Sequence, residues 1–506
     1  MALAALALLG LALRLAVLAS PLGELDGDEA VVGLMARHIA LLGDRPVFYY
    51  GQPYLGSLEA FTAAPLFWLF GSSTFLLKLV PAAYSLGFLL LSALLARGLF
   101  GQGPALITAA YLAAPPAMWA VWSTKARGGY AEVLCLGEAF LLVTLWLAER
   151  RRPAWGGLLW GALGGLALWT HLLAAVYLLP CTVYLLARRR RWWSPADAGE
   201  AAVGFAVGAA PMLVHNVANG FPTVAALLQP ADLALDPGAQ LLRFFRVGVP
   251  VLAGLGQPTT SAAMFDHDWL NRPAGRLPVA IALVASLGAV VVRHAAAIWR
   301  LCGRTPGQHT GPALLVLVAV AVPPVVALSR FGFLVAEPRY ALPLYSTVPL
   351  LAYALWRLPR LARLAGVAAV LALNVWSLLT TDVRLWRPEE AVDSTAETRA
   401  ALVANLVAED RHQMYTDYWI GYPVMFETRE TVLAYVVSGG FNRYVPPADN
   451  VQRTPNAVWV FMPGSEAEQE FLARLRAIGG SARVEEVSVY RVYKDVAPID
   501  AMRPPW

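Results

Sequence analysis

Charge is what this chain has least of. Of its 506 residues, 14% are Asp, Glu, Lys or Arg and 58% are hydrophobic. A soluble domain usually carries about 25% charged and 45–50% apolar residues. The deficit excludes an ordinary soluble protein and points to a polytopic α-helical membrane protein. The net charge of +5 is small for the length, and the basic residues fall in short clusters between apolar runs. Such clusters suit topology signals and call for no nucleic-acid partner. Cysteine is nearly absent as well: Cys135, Cys181 and Cys302 stand alone. None has metal-ligand or redox spacing, so all three read as small buried hydrophobes.

What fills the chain instead is long apolar runs. About eleven of them are long enough for membrane helices, near 3–22, 74–96, 104–122, 131–148, 156–169, 171–187, 200–214, 277–292, 313–329, 341–356 and 365–380. The first holds Arg14 and a stretch from Ala16 to Ser20 that loosely resembles a cleavage site. With so many later spans, an uncleaved helix is the expectation. If the N-terminus is cytoplasmic, the short inner connections hold Arg97, Arg150 to Arg152, Arg188 to Arg191, Arg293 to Arg304 and Arg357 to Arg363. Each is basic and nearly free of acid, the positive-inside pattern. The C-terminal region is then outside.

Three outer segments exceed turn length: 23–73, 215–276 and 381–506. Long loops tend to be functional. In the first, Val31, Leu34, Met35, Ile39 and Leu42 recur at helical spacing, with Asp26 or Asp28 as N-cap and Gly43 at the end. This predicts an amphipathic helix on the outer membrane surface. The last segment is expected to be a small α/β domain, residues 381–506, beside a membrane domain of residues 1–380. Ser394-x-x-Glu397 and Ser465-x-x-Glu468 read as capping boxes. Strands are expected at 413–418, 431–436, 457–461 and 487–493. Tyr418 and Trp419 read as its core, and the domain as a lid or acceptor-binding module.

Asp26-Gly27-Asp28-Glu29 places three carboxylates directly after the first span. At a helix start they gain about 0.3–1 kcal/mol from the dipole. A carboxylate in a partly dry site also serves as a general base. Other candidates near outer span ends are Lys125, Arg127 and Arg339, cations able to bind a phosphate. His171 sits at an outer turn. Asp266-His267-Asp268 has spacing that does not converge on one metal ion.

The order of motifs resembles the GT-C membrane glycosyltransferases, the branch with protein O-mannosyltransferases and the aminoarabinose transferases of lipid A. Asp28-Glu29 matches the Asp-Glu motif after the first span. Phe48 to Glu59 is similar to the first-loop pattern, Arg127-Gly-Gly-Tyr-Ala-Glu132 to an outer turn, Glu337-Pro-Arg-Tyr-Ala-Leu-Pro343 to the head of a late span, and Tyr415-Thr-Asp-Tyr-Trp419 to the opening of the C-terminal domain. The resemblance covers essentially the whole chain. It implies an inverting enzyme that moves a sugar from a polyprenyl-phosphate donor to an acceptor hydroxyl on a lipid, glycan or protein, at the outer face of a bacterial plasma membrane. Asp28 is then the catalytic carboxylate, with Glu29 and Asp26 as supporting acids. Arg339, Tyr340, Lys125 and Arg127 are candidate donor-phosphate ligands; Tyr54, Glu59 and His171 are candidate donor-site residues. No metal site is assigned and no cofactor is certain, which leaves a divalent cation open. Two other readings stand beside it: a flippase or transporter of lipid-linked sugars, and a non-catalytic membrane scaffold with an exported binding domain. A transporter should carry charges near mid-membrane in repeated halves, whereas the polar residues here cluster at outer span ends.

Overall fold

The computed structural model describes residues 1–149, 155–188, 195–229, 236–258, 311–329, 337–388 and 391–504. The span expected at 277–292, Cys302 and the Asp266-His267-Asp268 triplet lie outside the described residues. The protein is mostly helical, with one small C-terminal sheet. From the N-terminus run α1 (Ala2–Leu18), α2 (Gly27–Leu42), α3 (Leu58–Phe70), α4 (Thr74–Phe100), α5 (Gln102–Ala113), α6 (Ala117–Trp122), α7 (Tyr130–Glu149), α8 (Gly156–Thr170), α9 (Ala175–Arg188), α10 (Pro195–Gly208) and α11 (Ala210–Ala218). Later apolar helices are Gly311–Leu328, Val348–Trp356 and Arg360–Leu379.

Three helices among the described residues are long and apolar enough to cross a membrane: Thr74–Phe100, Tyr130–Ala148 and Arg360–Leu379. The expected eleven are not confirmed there: Ala2–Leu18, Gly156–Thr170, Leu172–Arg188 and Gly311–Ala327 are apolar but shorter, and three other runs are broken near prolines. The run 104–122 splits into α5 and α6 at Pro115-Pro116. The run 200–214 bends by 74° between α10 and α11, ahead of Pro211. The run 341–356 begins as a 3-10 segment, Arg339–Thr347, containing Pro343. A missing N–H and a fixed φ prevent an α-helix from running through such positions unbroken.

Broken helices expose carbonyls that need donors. Arg14, 1% exposed, donates to Leu112 O (3.0 Å) and Ala113 O (3.2 Å) at the end of α5, and to Ser85 Oγ (3.1 Å). The first apolar run thus keeps its one charge by capping a neighbour. α8 and α10 cross so closely that a side chain at Gly161, Gly165, Gly204 or Gly208 would collide with the facing backbone. This is the small-residue packing of membrane helices.

The C-terminal sheet has strand order β2-β1-β3-β5-β4. Its strands are β1 (Gln413–Asp417), β2 (Leu433–Ser438), β3 (Val458–Phe461), β4 (Ser481–Val487) and β5 (Tyr490–Ala497). β1 lies parallel to β2 and β3; β5 lies antiparallel to β3 and β4. β4 escapes sequence reading because Arg483, Glu485 and Glu486 make it polar on an outer edge. The helix Ala396–Ala408 is capped by Thr395 with Thr398, one residue later than the expected Ser394-x-x-Glu397 box.

α2 corrects the expected surface helix. Its residues Gly27 and Glu29 to His38 are buried. Val31, Leu34 and Met35 share one core with Tyr418, Ile420, Met425 and Phe426 of the helix Tyr418–Glu427. The sheet-bearing region therefore packs through α2 onto the membrane-helix region, with no break in the core at residue 381.

Candidate active site

α2 starts at Asp26, whose Oδ1 accepts from Glu29 N (3.1 Å), while Glu29 Oε2 accepts from Asp26 N (3.2 Å). This capping box uses two of the three acids. Both have further partners. Glu29 is fully buried and pairs with Lys78 Nζ (2.5 Å), and it also accepts from Ala126 N (2.9 Å). Asp26 Oδ2 takes Lys125 Nζ (2.9 Å) and Arg127 Nη2 (2.6 Å). Burial alone would raise the Asp26 carboxyl, but Arg127 and Lys125 outweigh it and hold it well below the usual carboxylate range. The start of α2 is thus stapled to the turn 124–129.

That turn is built on Glu59. Gly128 and Gly129 both sit at positive φ, 87° and 95°, which a side chain would strain. Their N–H groups donate to Glu59 Oε2 at 2.6 and 3.0 Å. Burial, with Glu132 nearby, pushes the Glu59 carboxyl well up. The turn delivers Arg127 and Tyr130 into a cavity of about 670 Å³.

The cavity lining is mixed: Asp28, Tyr49, Tyr54, Arg127, His171, Arg339 and Tyr340 are its polar residues, and Leu168, Leu172, Leu173, Leu227, Val325 and Val326 are among its apolar ones. Arg127 and Arg339 both lie over the Trp122 ring, at 5.4 and 5.7 Å, and both approach Glu337, at 3.8 and 3.7 Å. Arg339 Nε is buried with no hydrogen-bond partner among the described residues. His171 Nδ1 accepts from Leu173 N (2.9 Å), so the ring carries its proton on Nε2. With Nδ1 unprotonated, it is a neutral donor, not a third cation.

Asp28 is the one member of the acidic cluster that lines the cavity, with its side chain 23% exposed. Tyr418 Oη donates to Asp28 Oδ1 (2.8 Å), and Arg443 Nε donates to that same hydroxyl (2.7 Å). Arg443 Nη2 lies 3.6 Å from Asp28 Oδ1. Tyr49 Oη donates to Asp28 O (3.0 Å).

Of the residues proposed from sequence, Asp28, Tyr54, Arg127, His171, Arg339 and Tyr340 are brought together around one cavity. Asp26, Glu29, Glu59 and Lys125 lie behind it, in ion pairs and backbone contacts. Tyr418, read as core, is buried yet turns its hydroxyl to Asp28. Tyr49 and Arg443 were not singled out; Tyr49 lay inside the quoted Phe48–Glu59 motif, while no pattern marked Arg443. Among the described residues no group of three or more His, Cys, Asp or Glu could hold a metal ion. Asp26 and Asp28 face cations, so they form no converged donor set.

Residues 57–215 match the family model for dolichyl-phosphate-mannose-protein mannosyltransferase. No curated protein matches the chain by sequence. Among solved structures, ArnT from Cupriavidus metallidurans bound to undecaprenyl phosphate superposes with a TM-score of 0.61 at 16% identity, covering 99% of each chain. The Archaeoglobus fulgidus oligosaccharyltransferase in complex with Zn and sulfate gives a TM-score of 0.52 at 14% identity, over 97% of this chain and 73% of the other. The fold is the GT-C fold, in agreement with the motif resemblance.

Proposed function

We propose that this GT-C chain is a membrane glycosyltransferase that moves a sugar from a polyprenyl-phosphate donor to an acceptor hydroxyl, with inversion, at the outer face of the plasma membrane. The observation that carries the reading is the mixed lining of the cavity: Asp28 and two arginines share it with leucines and valines. A polyprenyl phosphate combines the matching parts, an anionic head and a hydrocarbon tail. Relatives in fold and family act in this chemistry: the matched family is named for dolichyl-phosphate-mannose, and the ArnT structure holds undecaprenyl phosphate.

The chemistry follows from the charges. The acceptor O–H gives its proton to the Asp28 carboxylate as its oxygen forms a bond to the sugar's anomeric carbon. The bond from that carbon to the phosphate oxygen breaks, and its electron pair leaves with the polyprenyl phosphate. Negative charge grows on the phosphate oxygens, where Arg127 and Arg339 stabilise it. Tyr340 and the His171 Nε2–H add neutral donors. Tyr54 borders the donor sugar. Asp26, Glu29, Glu59 and Lys125 act through positioning: they fix α2 and the 124–129 turn. The basic inner loops support a cytoplasmic N-terminus and an outer-facing site.

The test is reconstitution of purified protein with a panel of radiolabelled undecaprenyl-phosphate sugars and membrane extract. Wild type transfers label from one donor, and Asp28→Asn transfers it about 10²–10⁴-fold more slowly while still binding undecaprenyl phosphate. Labelled lipid that changes leaflet without donor consumption would establish a transporter instead.

A further inference from the structure

We infer that the C-terminal α/β region is part of the catalytic centre: Tyr418 and Arg443 clamp Asp28 Oδ1 and leave Oδ2 as the oxygen that receives the acceptor proton. This rests on Asp28 being the base.

Four observations support the clamp. First, among the described residues the polar contacts of the Asp28 carboxylate fall on Oδ1: Tyr418 Oη at 2.8 Å, Tyr49 Oη at 3.4 Å and Arg443 Nη2 at 3.6 Å. Second, the contacts form a directed relay. Arg443 Nε donates to Tyr418 Oη, which obliges that hydroxyl to point its own proton at Asp28. Third, Arg443 is fixed: its guanidinium lies over the rings of Tyr49 (5.0 Å), Tyr418 (5.2 Å) and Phe441 (4.6 Å), and its side chain is 10% exposed. Arginine on aromatic faces loses little mobility when it then bonds. Fourth, the approach of Tyr418 needs a glycine at position 27, because a Cβ there would sit 2.8 Å from the Tyr418 ring.

A carboxylate is a more effective base when one oxygen is free and its orientation is held. Backbone capping cannot do this for Asp28, since Asp26 holds the cap. The clamp does it from 390 residues further along the chain. The role assigned to Tyr418 and Arg443 is positioning, because neither needs to touch the reacting atoms.

The experiment compares Arg443→Met, Arg443→Lys and Tyr418→Phe in the full-length protein, in the donor panel assay above. Arg443→Met is expected to lower kcat about tenfold or more, a typical share of general-base catalysis, with the donor KM within about twofold. Arg443→Lys, which keeps a cation, recovers most of the rate. Tyr418→Phe lowers kcat without altering the fold, so a poorly folded Arg443→Met does not end the test. In an Asp28→Glu background, whose carboxylate is displaced from the clamp, Arg443→Met costs less than in wild type. Equal losses in both backgrounds, or full turnover in Tyr418→Phe, overturn the inference while Asp28 stays the base. Full turnover in Asp28→Asn overturns the base reading and the clamp with it.

Discussion

Asp26 and Asp28 are two residues apart, yet one should fail by unfolding and the other by inactivity. The Asp26 side chain is 9% exposed and faces Lys125 and Arg127, 3% and 5% exposed. Asp26→Asn leaves two buried cations against a neutral amide. Breaking a buried pair by removing one partner costs about 3–5 kcal/mol, far above the value of a surface pair. Detergent-solubilised Asp26→Asn should therefore unfold several degrees below wild type. The pH dependence has a definite sign. The Asp26 carboxyl is depressed, because the cations outweigh burial. Its contribution is then present above the ordinary carboxylate range and is lost only as pH falls through the depressed folded value. The gap between wild type and Asp26→Asn should persist from pH 8 to 5 and narrow only in stronger acid. Asp28→Asn should show the opposite profile: turnover lower by about 10²–10⁴-fold, with little change in melting. Paired thermal and transfer assays on both variants decide it. If Asp26→Asn melts like wild type but is inactive, the roles given to the two acids are exchanged.

Arg339→Gln removes a cavity cation whose Nε has no hydrogen-bond partner among the described residues, and charged hydrogen bonds contribute about 1.5–3 kcal/mol. Undecaprenyl phosphate should bind roughly 10–150-fold more weakly, measured by equilibrium binding, with melting unchanged. For Glu59, burial raises the carboxyl, so its protonated form favours folding below the ordinary range, and that contribution fades as pH rises. Glu59→Gln, which keeps an acceptor for Gly128 and Gly129, should melt at or above wild type at pH 8, whereas Glu59→Ala should melt lower. Gly204→Val drives a branched side chain into the α8 backbone; overpacking of this kind costs about 1–3 kcal/mol or more, read as a lower melting temperature without a change in donor affinity of the surviving folded fraction.

What the sequence made legible follows the range of each signal. Asp26, Gly43 and Ser465 are local: a cap depends on residues within one turn, and the structure has all three at helix ends. Among the described residues, apolar runs do not continue as single helices where proline interrupts them, because hydropathy does not register a missing N–H. α2 failed differently. Its large apolar residues form a stripe, but Gly27 and Gly33 also carry no side chain, and the Tyr418 and Phe426 rings pack where a Cβ would stand. Glycines inside a helix mark the close approach of a neighbour, and that signal was available. Arg443 had none. It follows Gly439-Gly440 in a loop, and only the fold carries it to Asp28.

The scarcity of charge noted at the start acquires a meaning here. The chain has three lysines, and all of them are buried: Lys78 on Glu29, Lys125 on Asp26, Lys494 on Glu409 and Glu485. Two of the three serve the start of α2. A protein with so few charges that places two rare cations behind its acidic cluster is neutralising Asp26 and Glu29 in place. Left without Lys78 and Lys125, the two buried acids would carry an uncompensated desolvation cost, and the start of α2 that aims Asp28 at the cavity would loosen. Pairing the outer two separates the roles. Asp26 and Glu29 hold the helix start and the 124–129 turn, and Asp28 alone is left to face the cavity, held by groups from the far end of the chain. Swapping Lys78 to Met should therefore reduce transfer as well as stability, although Lys78 does not line the cavity; a Lys78→Met protein that folds less well but turns over normally per folded molecule would break this link.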